Sequence, residues 1–168
     1  MTRQVENTRI PDWIKNRELE KTAEEDKAKE ISRQQFEASK LVQQGGREFW
    51  QQLLNRLKIN TDALQRLGDE LYGSTSPMGD PAGSGEVSCH IQVDRRSVRL
   101  GPELSQMNLF YQPGGHRIRR WYQNRPLDDI ELRSGQEGVV AVVDDSIPMT
   151  SEELADSLVQ SMAERVRR

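Results

Sequence analysis

The apolar and polar positions in the first half of the chain follow a helical pattern. Residues 17–72 contain no proline and consist mostly of Glu, Lys, Gln, Arg, Ala and Leu, which lose little side-chain entropy in a helix. The pair Gly45-Gly46 interrupts this stretch, and each glycine weakens a helix interior by about 1 kcal/mol relative to alanine. We therefore predict a helical arm, 18–72, that is broken at the glycine pair and preceded by a polar N-terminal tail, 1–17.

A narrow apolar stripe marks the first piece of this arm. Its members recur at spacings of three, seven and four residues: Ala28, Ile31, Ala38 and Val42. Gln35 interrupts the stripe, and Phe36 and Leu41 lie beside it, so only part of the heptad repeat of a coiled coil is present. A coiled-coil helix and a solvated helix both remain open for this piece.

The second piece carries a stronger apolar stripe. Within little more than ten residues it includes Phe49, Trp50, Leu53, Leu54, Leu57 and Ile59. Asn60 or Thr61 is suited to cap a further short helix, and the pattern therefore favours a helical hairpin. A stripe this apolar must be buried, either on the later domain of the same chain or on a second copy, and periodicity alone favours neither.

The composition changes abruptly after the helical arm. Residues 73–86 are rich in Gly, Ser and Pro and offer almost no apolar side chains for a core. Such a segment is typical of a flexible linker. We predict that it separates the helical arm from a folded domain, 87–168.

After the linker the hydrophobic period becomes two, which is typical of half-buried strands. The first such run alternates Val87, Cys89, Ile91 and Val93 with polar residues. Similar runs lie at 98–100, 107–111, 118–122, 130–132 and 138–143. Turns such as Pro113-Gly114-Gly115 separate them and favour hairpins. The result is a mostly antiparallel sheet of about five or six strands.

A final helix follows Pro148. Thr150 or Ser151 can cap it, and Glu152 and Glu153 lie in its first turn, where carboxylates stabilise the positive end of the helix dipole. Its apolar stripe recurs every four residues: Leu154, Leu158, Met162 and Val166. This stripe should cover one face of the sheet. The predicted fold class is therefore α+β.

Composition and charge narrow the class of protein only slightly. Apolar residues make up 34% of the 168 residues, below the usual share of about 45 to 50%, so part of the chain must lie outside a core. The single cysteine, Cys89, cannot close an intramolecular disulfide, and 1–20 lacks the apolar core of a secretory signal. The longest aliphatic run, 139–143, is too short to cross a bilayer. We expect a cytoplasmic protein without a membrane segment.

Candidate catalytic and metal-binding groups are few. Cys89 belongs to the buried alternation while His90 points to the opposite face of the strand, so they do not form a nucleophile and base; His116 lies on another strand. Two histidines and one cysteine fall short of a zinc site. The adjacent pairs Asp128-Asp129 and Asp144-Asp145 face opposite ways in extended chain. We predict no catalytic residue, no metal site and no cofactor.

An arginine-rich segment is the strongest sign of nucleic-acid binding. Residues 87–127 contain seven arginines against two acidic residues. Within the strand 117–122, three arginines lie beside Trp121 and Tyr122, a mixture able to contact phosphates and stack on bases. The acidic section from Ser134 onwards can also neutralise these arginines within the chain. That internal pairing leaves no exposed basic field.

The preferred hypothesis is a non-enzymatic interaction protein, similar in role to an adaptor or scaffold. Its partner, another protein or a second copy, is expected to contact the helical region 47–71, because the stripe there is too apolar to stay in water. A nucleic-acid-binding module that uses the strand 117–122 is the alternative, and an enzyme with a site assembled from scattered residues is the second alternative.

Overall fold

The computed structural model describes residues 10–68, 70–80, 82–97 and 99–167. Its elements, in chain order, are α1 Asp12–Ala63, a 3₁₀ turn Leu64–Leu67, β1 Leu71–Met78, β2 Val87–Ser97, β3 Gly101–Tyr111, β4 Arg117–Tyr122, β5 Arg125–Gly135, β6 Gly138–Val142 and α2 Ser151–Arg167. A long helix, a sheet and a C-terminal helix make the fold α+β, which confirms the predicted class.

The chain divides into two compact units, Met1–Glu37 and Ala38–Arg168. We call the described helical residues of the first unit, 12–37, the exposed arm, and the second unit the body. α1 begins in the first unit and ends in the second. The predicted tail, 1–17, overlaps the start of α1, and its first nine residues lie outside the described part of the chain.

The six strands form one antiparallel sheet in which each strand pairs with the next along the chain. The predicted alternation in β2 is confirmed for Cys89, Ile91 and Val93, which are fully buried on the inner side of the sheet, whereas Val87 at the start of the strand is exposed. The α2 stripe is buried as well: Leu154, Leu158, Met162 and Val166. The core of the body therefore lies between the inner face of the sheet and one side of each helix.

The predicted break at the glycine pair is wrong, and so is the helical hairpin. α1 is continuous through Gly45-Gly46 and ends only at Ala63. A Cβ atom at Gly45 would stand 2.7 Å from Val139 Cγ2, and one at Gly46 would overlap the Tyr111 hydroxyl. These glycines therefore let the helix approach the sheet closely, and the packing gained offsets their low helix propensity.

The predicted linker, 73–86, is only partly a connection. Its first six residues belong to β1, which pairs with β2 along its whole length, and only 79–86 connect the two strands. β1 is the first strand of the sheet order, and Pro77 is tolerated there because an edge strand has one row of unpaired backbone groups. The body therefore begins within α1 rather than after the linker.

The start of α2 has the predicted cap. Glu153 N donates a 3.2 Å hydrogen bond to Thr150 Oγ1, while Thr150 N donates one of 2.8 Å to Glu153 Oε2. This reciprocal pair is a capping box, and it satisfies two amide groups that the helix leaves without an internal partner. Thr150, rather than Ser151, is therefore the capping residue.

Candidate interaction surface

The exposed arm presents nearly its whole surface to solvent. Every residue from 15 to 37 is exposed, and several large apolar side chains are among them. The exposed fraction is 69% for Leu19, 47% for Ile31 and 70% for Phe36, and Trp13, which precedes this range, is 67% exposed. Ala28 and Ile31 belong to the stripe predicted from the sequence, whereas Leu19 and Phe36 lie on other sides of the helix.

Charge is distributed unevenly along the exposed arm. Residues 18–26 contain five acidic residues and one basic residue, whereas 27–33 contain three basic residues and one acidic residue. Arg33 bridges Glu30 at 2.8 Å and Glu37 at 3.9 Å. The Arg33 hydrogen bond, with a smaller contribution from Gln34, lowers the pKa of Glu30. Exposed pairs of this kind stabilise a helix only weakly, so most of this charge is available to a partner.

The apolar stripe of the predicted partner surface, 47–71, is buried in the body. Leu53 and Leu57 are fully buried, and the Trp50 ring stacks on Tyr111 with 5.6 Å between ring centroids. Periodicity left open whether this stripe packs on its own chain or on a second copy. In the structure it packs on the sheet of its own chain. Among its large apolar side chains, Ile59 and Leu67 lie at the margin and remain exposed.

Polar contacts hold the same part of α1 against the remainder of the body. Asp156 accepts hydrogen bonds from Asn60 Nδ2 at 2.7 Å and from Arg56 Nε at 3.1 Å. The Asn60 hydrogen bond and then the Arg56 partner lower the pKa of the Asp156 carboxyl. Thr61 and Thr75 share a buried hydroxyl hydrogen bond of 3.0 Å, which ties the end of α1 to β1.

The predicted arginine strand, 117–122, is β4, and its side chains alternate as expected. Arg117, Arg119 and Trp121 lie on the exposed side, while Ile118 is fully buried. The outer face also carries His90, whose Nδ1 lies 2.6 Å from Asn108 Oδ1 on the neighbouring strand. This face is therefore a mixture of aromatic, amide and charged groups.

Carboxylates of the same chain accompany these arginines. Arg119 bridges Glu86 at 2.6 Å and lies over the Phe110 ring, and Arg117 stands opposite Glu131 in the register of β4 and β5. Arg120 donates a 2.8 Å hydrogen bond to the Asp128 carbonyl oxygen. Internal pairing of this kind reduces the field available to phosphates. Nucleic-acid binding by β4 stays a prediction, and steep weakening by added salt is its test.

The cysteine and the histidines are separated as the sequence indicated. Cys89 is fully buried on the inner face, and burial raises the pKa of its thiol to about 12. His90 lies on the outer face, and His116 Nε2 is 3.2 Å from Ser39 Oγ. A thiol that stays protonated is a poor nucleophile, and the geometry provides no adjacent base among these residues.

The two aspartate pairs come together in a way that the sequence did not indicate. Asp128, Asp129, Asp144 and Asp145 line one groove of about 470 Å³, together with Glu131 and Arg117. β5 and β6 are neighbours, with Glu131 opposite Val142, so the acidic residues near their ends converge. In the described residues, no group of three or more His, Cys, Asp or Glu side chains is arranged to hold a metal ion.

None of the helices in the described part of the chain has the length and apolar character needed to span a membrane. In comparisons with protein-family models, with curated proteins and with solved structures, nothing matches this chain.

Proposed function

We propose that this chain is a non-catalytic interaction protein whose exposed arm associates with the arm of a second copy. The observation that carries the proposal is the exposure of every residue from 15 to 37 within a continuous helix. A helix without tertiary packing is only marginally stable in water, and a partner that covers it supplies the missing stabilisation. The body then serves as the domain that association brings together.

The charge pattern of the arm supports an antiparallel arrangement. The acidic residues of 18–26 precede the basic residues of 27–33, so two antiparallel arms place the acidic section of each against the basic section of the other. Parallel arms would instead place like charges side by side. Complementary charges select an orientation and oppose the alternative one more than they add affinity.

The apolar stripe of the exposed arm also supports a second copy of the chain as the partner. Ala28 and Ile31 lie three residues apart on one side of the helix, and a small residue beside an aliphatic one allows two helices to approach. The area is modest, because Gln35 follows in the same row. We therefore expect a reversible dimer with a dissociation constant in the micromolar range, on the order of 10 µM.

Sedimentation equilibrium of the full chain tests self-association. Ile31→Glu should raise the dissociation constant at least about tenfold, because a charge would enter the contact. Leu19→Glu is the matched control, since Leu19 is an exposed apolar residue of the same arm on another side of the helix. Equal effects of the two changes, or a monomer at all concentrations up to about 100 µM, would contradict the proposal.

Charge reversal tests the orientation. Glu24→Lys with Glu25→Lys should weaken association of the variant with itself, because two acidic residues of 18–26 are lost from each copy. Mixing this variant with one carrying Lys27→Glu and Lys29→Glu should restore mixed dimers. Tighter self-association of the Glu24→Lys, Glu25→Lys variant would instead indicate parallel arms and overturn the antiparallel arrangement.

A further inference from the structure

Two arginines lie near one end of the inner sheet face, where most neighbouring side chains are apolar. Arg95 is on β2, on the same side as Ile91 and Val93, and is only 6% exposed. Arg165, in the last turn of α2, stands with its guanidinium carbon 4.1 Å from the centre of the Tyr122 ring. Ser105, fully buried on β3, donates a 3.1 Å hydrogen bond to the Tyr122 hydroxyl.

The register of the sheet places Arg95 beside Ser105. Arg95 is opposite Glu103 on β3, and Ser105 is opposite Val93. Arg95 and Ser105 are therefore diagonal neighbours on the same face, a separation that long side chains span. Ser105 contacts Tyr122 and Tyr122 contacts Arg165, so a chain of contacts leads from the diagonal neighbour of Arg95 to Arg165 near the end of α2.

Arg95 carries a charge into the buried part of the sheet. Its Nε atom is buried without a hydrogen-bond partner, and no described carboxylate forms an ion pair with it. The next residue, Arg96, is on the opposite face, where it bridges Asp94 at 2.9 Å and lies over the Tyr72 ring. A buried N–H donor without a partner is costly, and an anion that accepts a hydrogen bond from it offsets part of that cost.

We propose that Arg95 and Arg165 bind a phosphate group, either as inorganic phosphate or as a phosphate monoester. A guanidinium presents parallel N–H donors that fit phosphate oxygens, and two guanidinium groups match the charge of a phosphate dianion better than that of a single carboxylate. The Tyr122 hydroxyl accepts its hydrogen bond from Ser105, so its own proton is free to be donated to the anion. Arg95 is held in place beforehand by the packing around its stem.

Thermal unfolding of the full chain with and without inorganic phosphate, at constant ionic strength made up with chloride, tests the proposal. Phosphate at about ten times its dissociation constant should raise the Tm by about 3 °C. Arg95→Gln should abolish this rise, and Arg165→Gln should reduce it. Arg96→Gln is the matched control and should keep it, because Arg96 lies on the other face. No phosphate-dependent rise in the unaltered protein, or an equal loss in the Arg96 variant, overturns the proposal.

Glu103 provides a second test that does not depend on removing a buried residue. It faces Arg95 in the register but is exposed and forms no ion pair with it among the described contacts. Glu103→Gln should make the phosphate-dependent shift larger, because a competing negative charge is removed. An unchanged or smaller shift means that phosphate binds elsewhere and overturns the assignment. Glycerol phosphate in place of inorganic phosphate then distinguishes the two sources: a larger shift assigns the site to monoesters, and a smaller one to free phosphate.

Discussion

The two halves of α1 have the same backbone conformation and opposite surroundings. From residue 15 to 37 every side chain is exposed, whereas from Val42 to Thr61 one side of the helix is buried. Both halves are rich in good helix formers. The difference lies in the stripe, which holds Ala28, Ile31 and Gln35 in the first half and large apolar side chains in the second.

This contrast shows that the residues that favour a helix are not the same as the contacts that hold the helix on the body. Burial of one large apolar side chain stabilises a fold by about 1.5 to 3 kcal/mol. The second half makes several such contacts with the sheet and with α2, while the first half depends on backbone hydrogen bonds and exposed ion pairs. Outside the glycine pair, helix propensity therefore predicts a helix in both halves of α1 but does not show which half belongs to the body.

The largest expected effect comes from the anchored half. Leu53→Ala should reduce the free energy of unfolding by about 3 kcal/mol, because it removes a fully buried side chain and leaves a cavity. Ile59→Ala, on the same helix but 59% exposed, is the control and should cost less than about 1 kcal/mol. Urea unfolding of both variants measures the difference. Equal losses would mean that the stripe does not anchor α1.

The close approach of α1 to the sheet should give the next largest effect. Gly46→Ala should destabilise the protein by about 2 kcal/mol although alanine favours helices, because the new methyl group overlaps the Tyr111 hydroxyl. Gly79→Ala, where a Cβ atom meets nothing within 4 Å, is the control.

Tyr111→Phe makes a double-mutant cycle with the same glycine. The Tyr111 hydroxyl is buried without a partner in the described structure, so removing it alone should be nearly neutral or stabilising. The double variant Gly46→Ala, Tyr111→Phe should recover much of the free energy of unfolding that Gly46→Ala loses. The coupling energy between the two changes should then be about 1 kcal/mol or more. Additive effects would indicate that the clash is not the cause.

Sequence reasoning was most successful where one periodicity acted alone. The strand alternation in Val87 to Val93 and the four-residue repeat of α2 each correspond to an observed element. Neither prediction required knowledge of a partner element, because burial of one side of a strand or helix gives the apolar residues a regular spacing in the local sequence.

The errors arose where a tertiary contact outweighed local preference. The glycine pair suggested a break until its role in contacting Val139 and Tyr111 was visible. The Gly, Ser and Pro content of β1 concealed a strand whose register depends on β2. Leu71 and Thr75 are both buried on one side of β1, and their even spacing was the available sequence signal for a strand. Two such residues are too few to distinguish a strand from a linker.

The convergence of the acidic residues Asp128, Asp129, Asp144 and Asp145 depends on which strands are neighbours in the sheet. No local sequence pattern contains that information.

A smaller, pH-dependent effect should appear at the junction of α1 and α2. The pKa of Asp156 is lowered in the folded state by Asn60 and Arg56, so its contribution to stability is present above the ordinary carboxyl pKa and is lost as the pH falls through the lowered value. Asp156→Asn should therefore lower stability at pH 7 but have little effect near pH 2. Denaturant midpoints at both pH values measure this.

The smallest effect on stability is expected from removing the exposed arm altogether. A chain that begins at Ala38 keeps the whole apolar core, because every residue of that core lies in the body. Its free energy of unfolding, measured at a concentration where the full chain is monomeric, should differ from that of the full chain by no more than about 0.5 kcal/mol. The same deletion should abolish concentration-dependent association, since the proposed contact lies in 18–33. A large loss of stability would show that the arm is part of the folded core. Unchanged association would move the contact to the body, where Leu41, Ile59 and Leu67 are exposed apolar side chains of α1 and its 3₁₀ turn.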